Sequence, residues 1–155
     1  MSDYSSTQNQ ISQNQVFDPL RKLWVAKTPE EIVRQKSIAW LLQVQKVPLS
    51  AMASEVFLGK FNPQTQERAD LIVFDQNLKP AILVECKKPD FFKSEHNARL
   101  SDTLFQVQRY LKILPIKLVL ITDASQIFAY ENKNDQFEKI DHLSPEFIRK
   151  LLKSA

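Results

Sequence analysis

The chain has 155 residues, of which 43% are hydrophobic and 25% are charged, and this composition is typical of one globular domain. A single cysteine excludes an internal disulfide, two histidines with that cysteine are too few for a four-ligand zinc site, and the single glycine excludes both a P-loop and the glycine-rich dinucleotide fingerprint. The net charge of +3 is compatible with an anionic partner but does not require one.

The N-terminal segment is polar: eleven of its first fifteen residues are Ser, Thr, Gln or Asn. This predicts a disordered tail over residues 1–15 and a single folded domain over residues 16–155. We predict that residues 16–24 form a short strand or a docking arm. No apolar run approaches the ~20 residues of a membrane span, and a signal peptide's apolar core is missing. We therefore expect a soluble, cytoplasmic protein without a membrane partner.

The remaining elements follow from caps, breaks and apolar periodicity. Thr28, Pro29 and Glu31 supply an N-cap, a first-turn proline and a capping-box glutamate, which predict a helix from residue 29 to about 46. We predict the other elements as strands over residues 53–58, 70–75 and 81–87, a helix over 94–113, strands over 117–122, 126–130 and 137–140, the last two flanking a polar loop over 131–136, and a helix beginning near 145.

The predicted order is therefore α-β-β-β-α-β-β-β-α. The runs at 70–75 and 81–87 form a hairpin and carry apolar groups on both faces, which is typical of strands in the middle of a sheet covered by helices on each side. The sequence thus predicts an α/β fold with a central sheet flanked by helices.

The hairpin brings chemically active side chains together. With a loop of either two or four residues, Asp70 lies directly opposite Glu85, with their Cβ atoms about 5 Å apart. Lys87 lies on the same face of the sheet, and Cys86 points to the other face.

Two like charges opposite each other destabilise a strand pair unless a positive charge lies between them. Carboxylate oxygens are the ligands that Mg²⁺ prefers, and a nearby ammonium can orient or deprotonate a bound water or neutralise a phosphate. The alternative is that these are ordinary solvated or salt-bridged side chains. Against it, Glu85 follows four consecutive apolar residues, so its carboxylate is expected to be partly buried.

This pattern resembles the PD-(D/E)xK nuclease superfamily, and the wider frame resembles the N-terminal nuclease domain of type I restriction enzyme restriction (R) subunits. The matching segments are TPEEIVRQ (28–35), RADLIVFD (68–75), LVECKKP (83–89), QVQRY (106–110) and LITD (120–123). The resemblance implies a restriction-endonuclease-like mixed sheet. It also implies Asp70 and Glu85 as ligands of Mg²⁺ or Mn²⁺ and Lys87 as the catalytic lysine.

The same resemblance implies that Glu31 completes the metal shell directly or through water, and that Gln106 and Tyr110 support the site and the nucleic-acid backbone. The alternatives without a functional role are a capping box for Glu31 and an ordinary amphipathic helix for Gln106 and Tyr110. Arg34 and Arg68 belong to a set of basic residues near the acids that are placed to contact phosphates, or that form a scattered solvated surface.

The leading hypothesis is a Mg²⁺-dependent endonuclease that hydrolyses phosphodiester bonds in DNA. The sequence shows no phosphate loop before Ala155, so we expect a stand-alone nuclease without an ATP-driven translocase. The alternative is a nuclease-fold accessory module with weak or no cleavage that binds nucleic acid or a protein partner. A purely structural domain is a third reading, and separate partner subunits or a homodimer stay open.

Overall fold

The structure is a computed structural model that describes residues 14–93 and 96–153. Its elements are β1 (Gln15–Asp18), β2 (Leu23–Ala26), α1 (Pro29–Gln43), β3 (Met52–Phe57), β4 (Arg68–Phe74), β5 (Pro80–Cys86), α2 (His96–Leu111), β6 (Leu118–Thr122), β7 (Ile127–Lys133), β8 (Gln136–Ile140) and α3 (Pro145–Lys153). The predicted order and the α/β class are confirmed, with one additional hairpin, β1–β2, before the first helix.

Strands β3 to β8 form one six-stranded sheet in chain order. Only β5 and β6 run parallel, and the other four pairs of neighbours are antiparallel. A parallel pair needs a crossover connection, and α2 supplies it. The sheet is therefore mixed, in line with a restriction-endonuclease-like fold, with β4 and β5 in its interior.

Two apolar clusters lie on opposite faces of the sheet because successive strand residues point to alternate sides. On one face, Val33 and Leu41 of α1 and Ile148 of α3 pack with the alternate β5 residues Ile82 and Val84. On the other face, α2 packs through a second set that includes Ile72, Leu83, Val107 and Tyr110. The prediction that β4 and β5 are covered on both faces is confirmed.

The first helix begins as its sequence predicts. Thr28 is the N-cap, its side chain accepts a hydrogen bond from the Glu31 amide at 3.1 Å, and Pro29 occupies the first turn. The helix ends at Gln43, three residues before the predicted end, and Val44 forms its C-cap. This start fixes Glu31 and Arg34 on the first two turns, where both side chains are buried.

Two further parts of the chain differ from the sequence prediction. Residues 15–26 form a complete hairpin in which Phe17 pairs with Trp24, instead of a single short strand or arm. The predicted polar loop at 131–136 is wrong, because β7 continues to Lys133 and the turn consists of Asn134 and Asp135. Both turn residues have positive φ, 53° and 63°, as the tightest hairpin turns require.

The predicted tail over residues 1–15 lies outside the described residues, apart from Asn14 and from Gln15, which begins β1. Its disorder, and the assignment of residues 16–155 to a single domain, stay predictions.

We expect Cys86 to react slowly with thiol reagents in the folded protein. The residue is 5% exposed, its Sγ lies 3.9 Å from Ser37 Oγ on α1, and burial raises the pKa of the thiol strongly. Because it is the only cysteine, labelling with a chromogenic disulfide measures it alone. Denaturant should release full reactivity, whereas fast labelling of the native protein would mean that the faces of β5 are exchanged.

Candidate active site

The site lies where β4 and β5 leave their shared ladder. Leu71 pairs with Val84 and Ile72 with Leu83, and this register, continued by one residue, places Asp70 across from Glu85. The Oδ2 atom of Asp70 accepts a hydrogen bond from the Cys86 amide at 2.8 Å, which anchors this carboxylate to the neighbouring strand. The register predicted from the sequence is therefore the observed one beside the site. The predicted loop of two or four residues is wrong, because Phe74 pairs with Pro80 and the register shifts by one residue between Val73 and Phe74.

Lys87 lies on the same side of the sheet as Glu85. Its Nζ is 3.5 Å from Glu85 Oε1 and 3.5 Å from Gln106 Oε1 on α2. The ammonium also lies 5.5 Å from the centroid of the Phe91 ring. The Lys87 amide donates to the Thr122 carbonyl at 2.8 Å, so its backbone is fixed to β6. The structure thus brings together an acid, a lysine and the glutamine that the sequence placed near them.

Gln106 and Tyr110 share a face of α2, as their spacing predicts. Gln106 donates through Nε2 to the Tyr110 hydroxyl at 3.2 Å, and that hydroxyl donates to the Arg68 carbonyl at 3.4 Å. Burial, followed by the charge of Glu85, raises the pKa of Tyr110 to about 12, so the hydroxyl stays protonated. These hydrogen bonds connect the beginning of β4 with Lys87.

The two predicted arginines occupy different environments. Arg68 is exposed, stacks 5.5 Å from the centroid of the Phe57 ring, and donates to the Glu55 carbonyl at 3.3 Å. Arg34 is 5% exposed and forms ion pairs with carboxylates. Arg68 therefore lies at the surface, whereas Arg34 lies inside the protein and holds the acidic side chains together.

Arg34 joins three carboxylates. Its guanidinium forms ion pairs with Glu31 and Glu55, and its Nη2 lies 3.2 Å from Asp70 Oδ1. Burial lowers the pKa of Arg34, but the charges of the three acids outweigh burial and raise it above its ordinary value. Arg34 is therefore a permanent cation at the centre of the acidic side chains.

Glu31 is a predicted metal ligand that the structure places among cations. Its carboxylate accepts from the guanidinium groups of Arg21 and Arg34 and from Gln35 Nε2 at 3.1 Å. Its amide is the one capped by Thr28, so the capping role and the charged role coexist. Direct ligation by Glu31 stays a prediction.

Glu55 belongs to this cluster but was missed by the sequence analysis. It lies between the pairs Ser54–Leu71 and Val56–Ala69, so the β3–β4 register places it across from Asp70. Its φ of 51° is in the left-handed region, which costs a non-glycine residue about 1 kcal/mol or more. The only sequence signal for Glu55 was an acidic residue within a predicted strand. The long connection after β3 leaves the pairing register between β3 and β4 undetermined from the sequence.

Asp18 and Arg21 extend the charged cluster toward the N-terminal hairpin, and neither residue was predicted from the sequence. Asp18 is fully buried, pairs with Arg21, and accepts from Ser54 Oγ at 3.1 Å. Burial raises the pKa of Asp18, but hydrogen bonds from Arg21 and from the backbone outweigh it and lower the pKa. A line of alternating charges therefore runs from β1 to β4.

Glu85 has a different electrostatic environment. Burial, reinforced by the charge of Asp70, raises the pKa of Glu85 to about 7, although Lys87 and Arg34 oppose this. A carboxylate that is expensive to ionise becomes easier to ionise when a cation arrives. Glu85 and Asp70 thus form an acidic pair whose repulsion is only partly offset.

The donor set of this pair fits a hard divalent cation. Mg²⁺ is usually bound by one or two carboxylates and completed by water and substrate phosphates, so Asp70 and Glu85 suffice. Among the described residues, no cluster of three or more His, Cys, Asp or Glu side chains is arranged to hold a metal ion.

Comparison with protein families gives a match over most of the chain. The family model described as "Type I restriction enzyme R protein N terminus (HSDR_N)" matches residues 29–144, which include α1, the sheet and the candidate site. The comparison with curated proteins returned no match. No helix in the described part of the chain has the length and apolar character needed to cross a membrane.

We expect Glu85→Gln to stabilise the metal-free protein at pH 8 more than at pH 5. Because the pKa of Glu85 is raised to about 7, the folded protein keeps a proton at pH values where the unfolded chain has already lost it. The free energy of unfolding therefore declines as the pH rises through about 7. At pH 8 the substitution should gain up to about 3 kcal/mol, measured by urea unfolding in EDTA. Asp70→Asn is the contrast: it removes a partner of Arg34, so its loss of stability is expected at both pH values.

Proposed function

The chain belongs to the family of the type I restriction enzyme R protein N terminus, and on that premise we propose that it is a Mg²⁺- or Mn²⁺-dependent endonuclease that hydrolyses DNA. The observation that carries the proposal is the acidic pair with a lysine beside it. Asp70 and Glu85 meet at one position of two neighbouring strands, and Lys87 lies 3.5 Å from Glu85.

The acidic pair would hold the metal ion. Asp70 is oriented by the Cys86 amide, and Glu85 is buried on the α2 side of the same hairpin. When bound, a divalent ion supplies a water of lowered pKa and neutralises charge on the phosphate. Glu31 is an outer carboxylate in this proposal, connected to Asp70 through Arg34.

Lys87 supplies the fixed positive charge on the reacting side. Its Nζ is held between Glu85 and Gln106, so the ammonium can orient an attacking water or stabilise charge that develops on a phosphate oxygen. Tyr110 keeps Gln106 in place by accepting a hydrogen bond from its amide. The guanidinium of Arg68 is exposed, and the donors that do not bind the Glu55 carbonyl would contact a phosphate of the DNA backbone.

Metal binding should be visible as stabilisation of the wild-type protein and should disappear in Asp70→Asn and Glu85→Gln. A cation that binds only the folded state raises stability by about 2.7 kcal/mol when its concentration is one hundred times the dissociation constant. Thermal melts with and without 10 mM MgCl₂ measure this. An equal increase in melting temperature in wild type and both variants would place the ion elsewhere.

Lys87→Ala should lower Mg²⁺-dependent cleavage of supercoiled plasmid by on the order of 10²-fold or more, because it removes a charge next to the reacting groups. Its Mg²⁺ affinity should stay the same or improve slightly, since a nearby positive charge is lost. Lys88→Ala is the matched control, because the adjacent lysine is exposed.

The cleavage assay also decides between the enzyme and a non-cleaving accessory module. If wild type shows no metal-dependent cleavage of plasmid, linear duplex or single strands, and Lys87→Ala instead binds DNA far more weakly, Lys87 is a binding residue. The accessory-module reading would then replace the endonuclease.

A further inference from the structure

Arg34 is bound to the carboxylate of Asp70, and Asp70 would have to release part of this contact in order to bind a metal ion. Its Nη2 lies 3.2 Å from Asp70 Oδ1, while Asp70 Oδ2 accepts the Cys86 amide. Both carboxylate oxygens of Asp70 therefore already have a donor. The Arg34 charge also repels any cation that approaches this carboxylate.

The packing indicates that Arg34 is held for its charge. Its side chain is 6% exposed, and its Nε atom is buried without a hydrogen-bond partner in the part of the chain that the structure describes. A buried, unsatisfied donor is unfavourable, so the ion pairs through the two terminal nitrogens must fix the guanidinium. Those ion pairs come from three different elements, α1, β3 and β4.

Glu55 gives the guanidinium a second place to bind. The residue adopts a left-handed backbone conformation within β3, between two regular pairs, and its carboxylate contacts the same Nη2 that reaches Asp70. Strained conformations of this kind persist where the surrounding structure imposes them. Its side chain is 36% exposed, so the carboxylate can adjust when Arg34 moves.

We propose that Arg34 is an internal counter-cation that competes with the metal ion for Asp70, and that Glu55, which already contacts Arg34, retains it when Asp70 turns to the ion. The inference rests on the proposed metal-dependent function. In the metal-free protein, Arg34 offsets the charge of Asp70 and allows the acidic side chains that it contacts to lie close together. On metal binding, Glu31 and Glu55 keep the guanidinium neutralised, so the exchange does not leave a buried charge unpaired.

The decisive variant is Arg34→Gln/Glu55→Gln, which removes one positive and one negative charge and leaves the net charge unchanged. We expect it to bind Mn²⁺ about fivefold to tenfold more tightly than wild type, because the competitor for Asp70 is gone. Glu55→Gln alone should bind Mn²⁺ more weakly, since Arg34 then pairs more fully with Asp70. Binding is measured by calorimetry and by the electron paramagnetic resonance signal of free Mn²⁺.

The control is Lys133→Gln/Glu138→Gln, which removes an exposed ion pair of 3.4 Å on the β7–β8 hairpin and should leave Mn²⁺ affinity unchanged. Thermal melts show that each variant is folded. Arg34→Lys serves as a second test: it retains the charge on a side chain that cannot bridge several carboxylates, and its affinity should lie between those of wild type and the double variant.

The inference is overturned if the folded double variant binds Mn²⁺ no more tightly than wild type. Weaker binding would identify Glu55 as a ligand instead. Wild-type cleavage of plasmid is measured in the same preparation, which separates the two proposals. Cleavage by wild type without tighter binding in the double variant defeats only the role of Arg34, whereas no Mn²⁺ binding and no cleavage in any variant defeats the metal-dependent function as well.

Discussion

Asp70 and Glu85 meet at one position of two neighbouring strands, and the repulsion between these carboxylates is the constraint around which the surrounding residues are arranged. The pair cannot separate, because the β4–β5 register is fixed by apolar residues packed on both faces of the sheet. The protein therefore brings cations to the acids. Arg34 reaches Asp70, and Lys87 reaches Glu85.

The two acids are compensated unequally. Asp70 receives a guanidinium and a backbone amide, whereas Glu85 has an ammonium at 3.5 Å and is buried among apolar side chains. This difference explains why the pKa of Glu85 rises to about 7. Such incomplete compensation reduces stability, and strongly perturbed carboxylates of this kind are common at functional sites.

Parts of the fold that are distant in sequence serve this one cluster. The N-terminal hairpin contributes Asp18 and Arg21, which connect through Ser54 to β3 and through Glu31 to α1. On the other side, α2 contributes Gln106 and Tyr110, which connect Lys87 to the beginning of β4. Helices on both faces of the sheet thus set the geometry of side chains at the end of its central strands.

The sequence by itself determined the order of elements, the α/β class, the start of α1, the β4–β5 register beside the site and the grouping of Asp70, Glu85 and Lys87 there. The helix start and the strand faces follow from short-range rules, namely the cap at Thr28 and the alternation of strand residues. The loop rule alone was insufficient, because a register shift between Val73 and Phe74 separates the turn from the part of the ladder next to Asp70 and Glu85. The tertiary structure alone decided the partners of Arg34, the burial of Asp18 and the inclusion of Glu55. Those depend on how α1 and β3 pack on β4 across long connections, and local periodicity contains no information about the register or side-chain reach between elements that are distant in the chain.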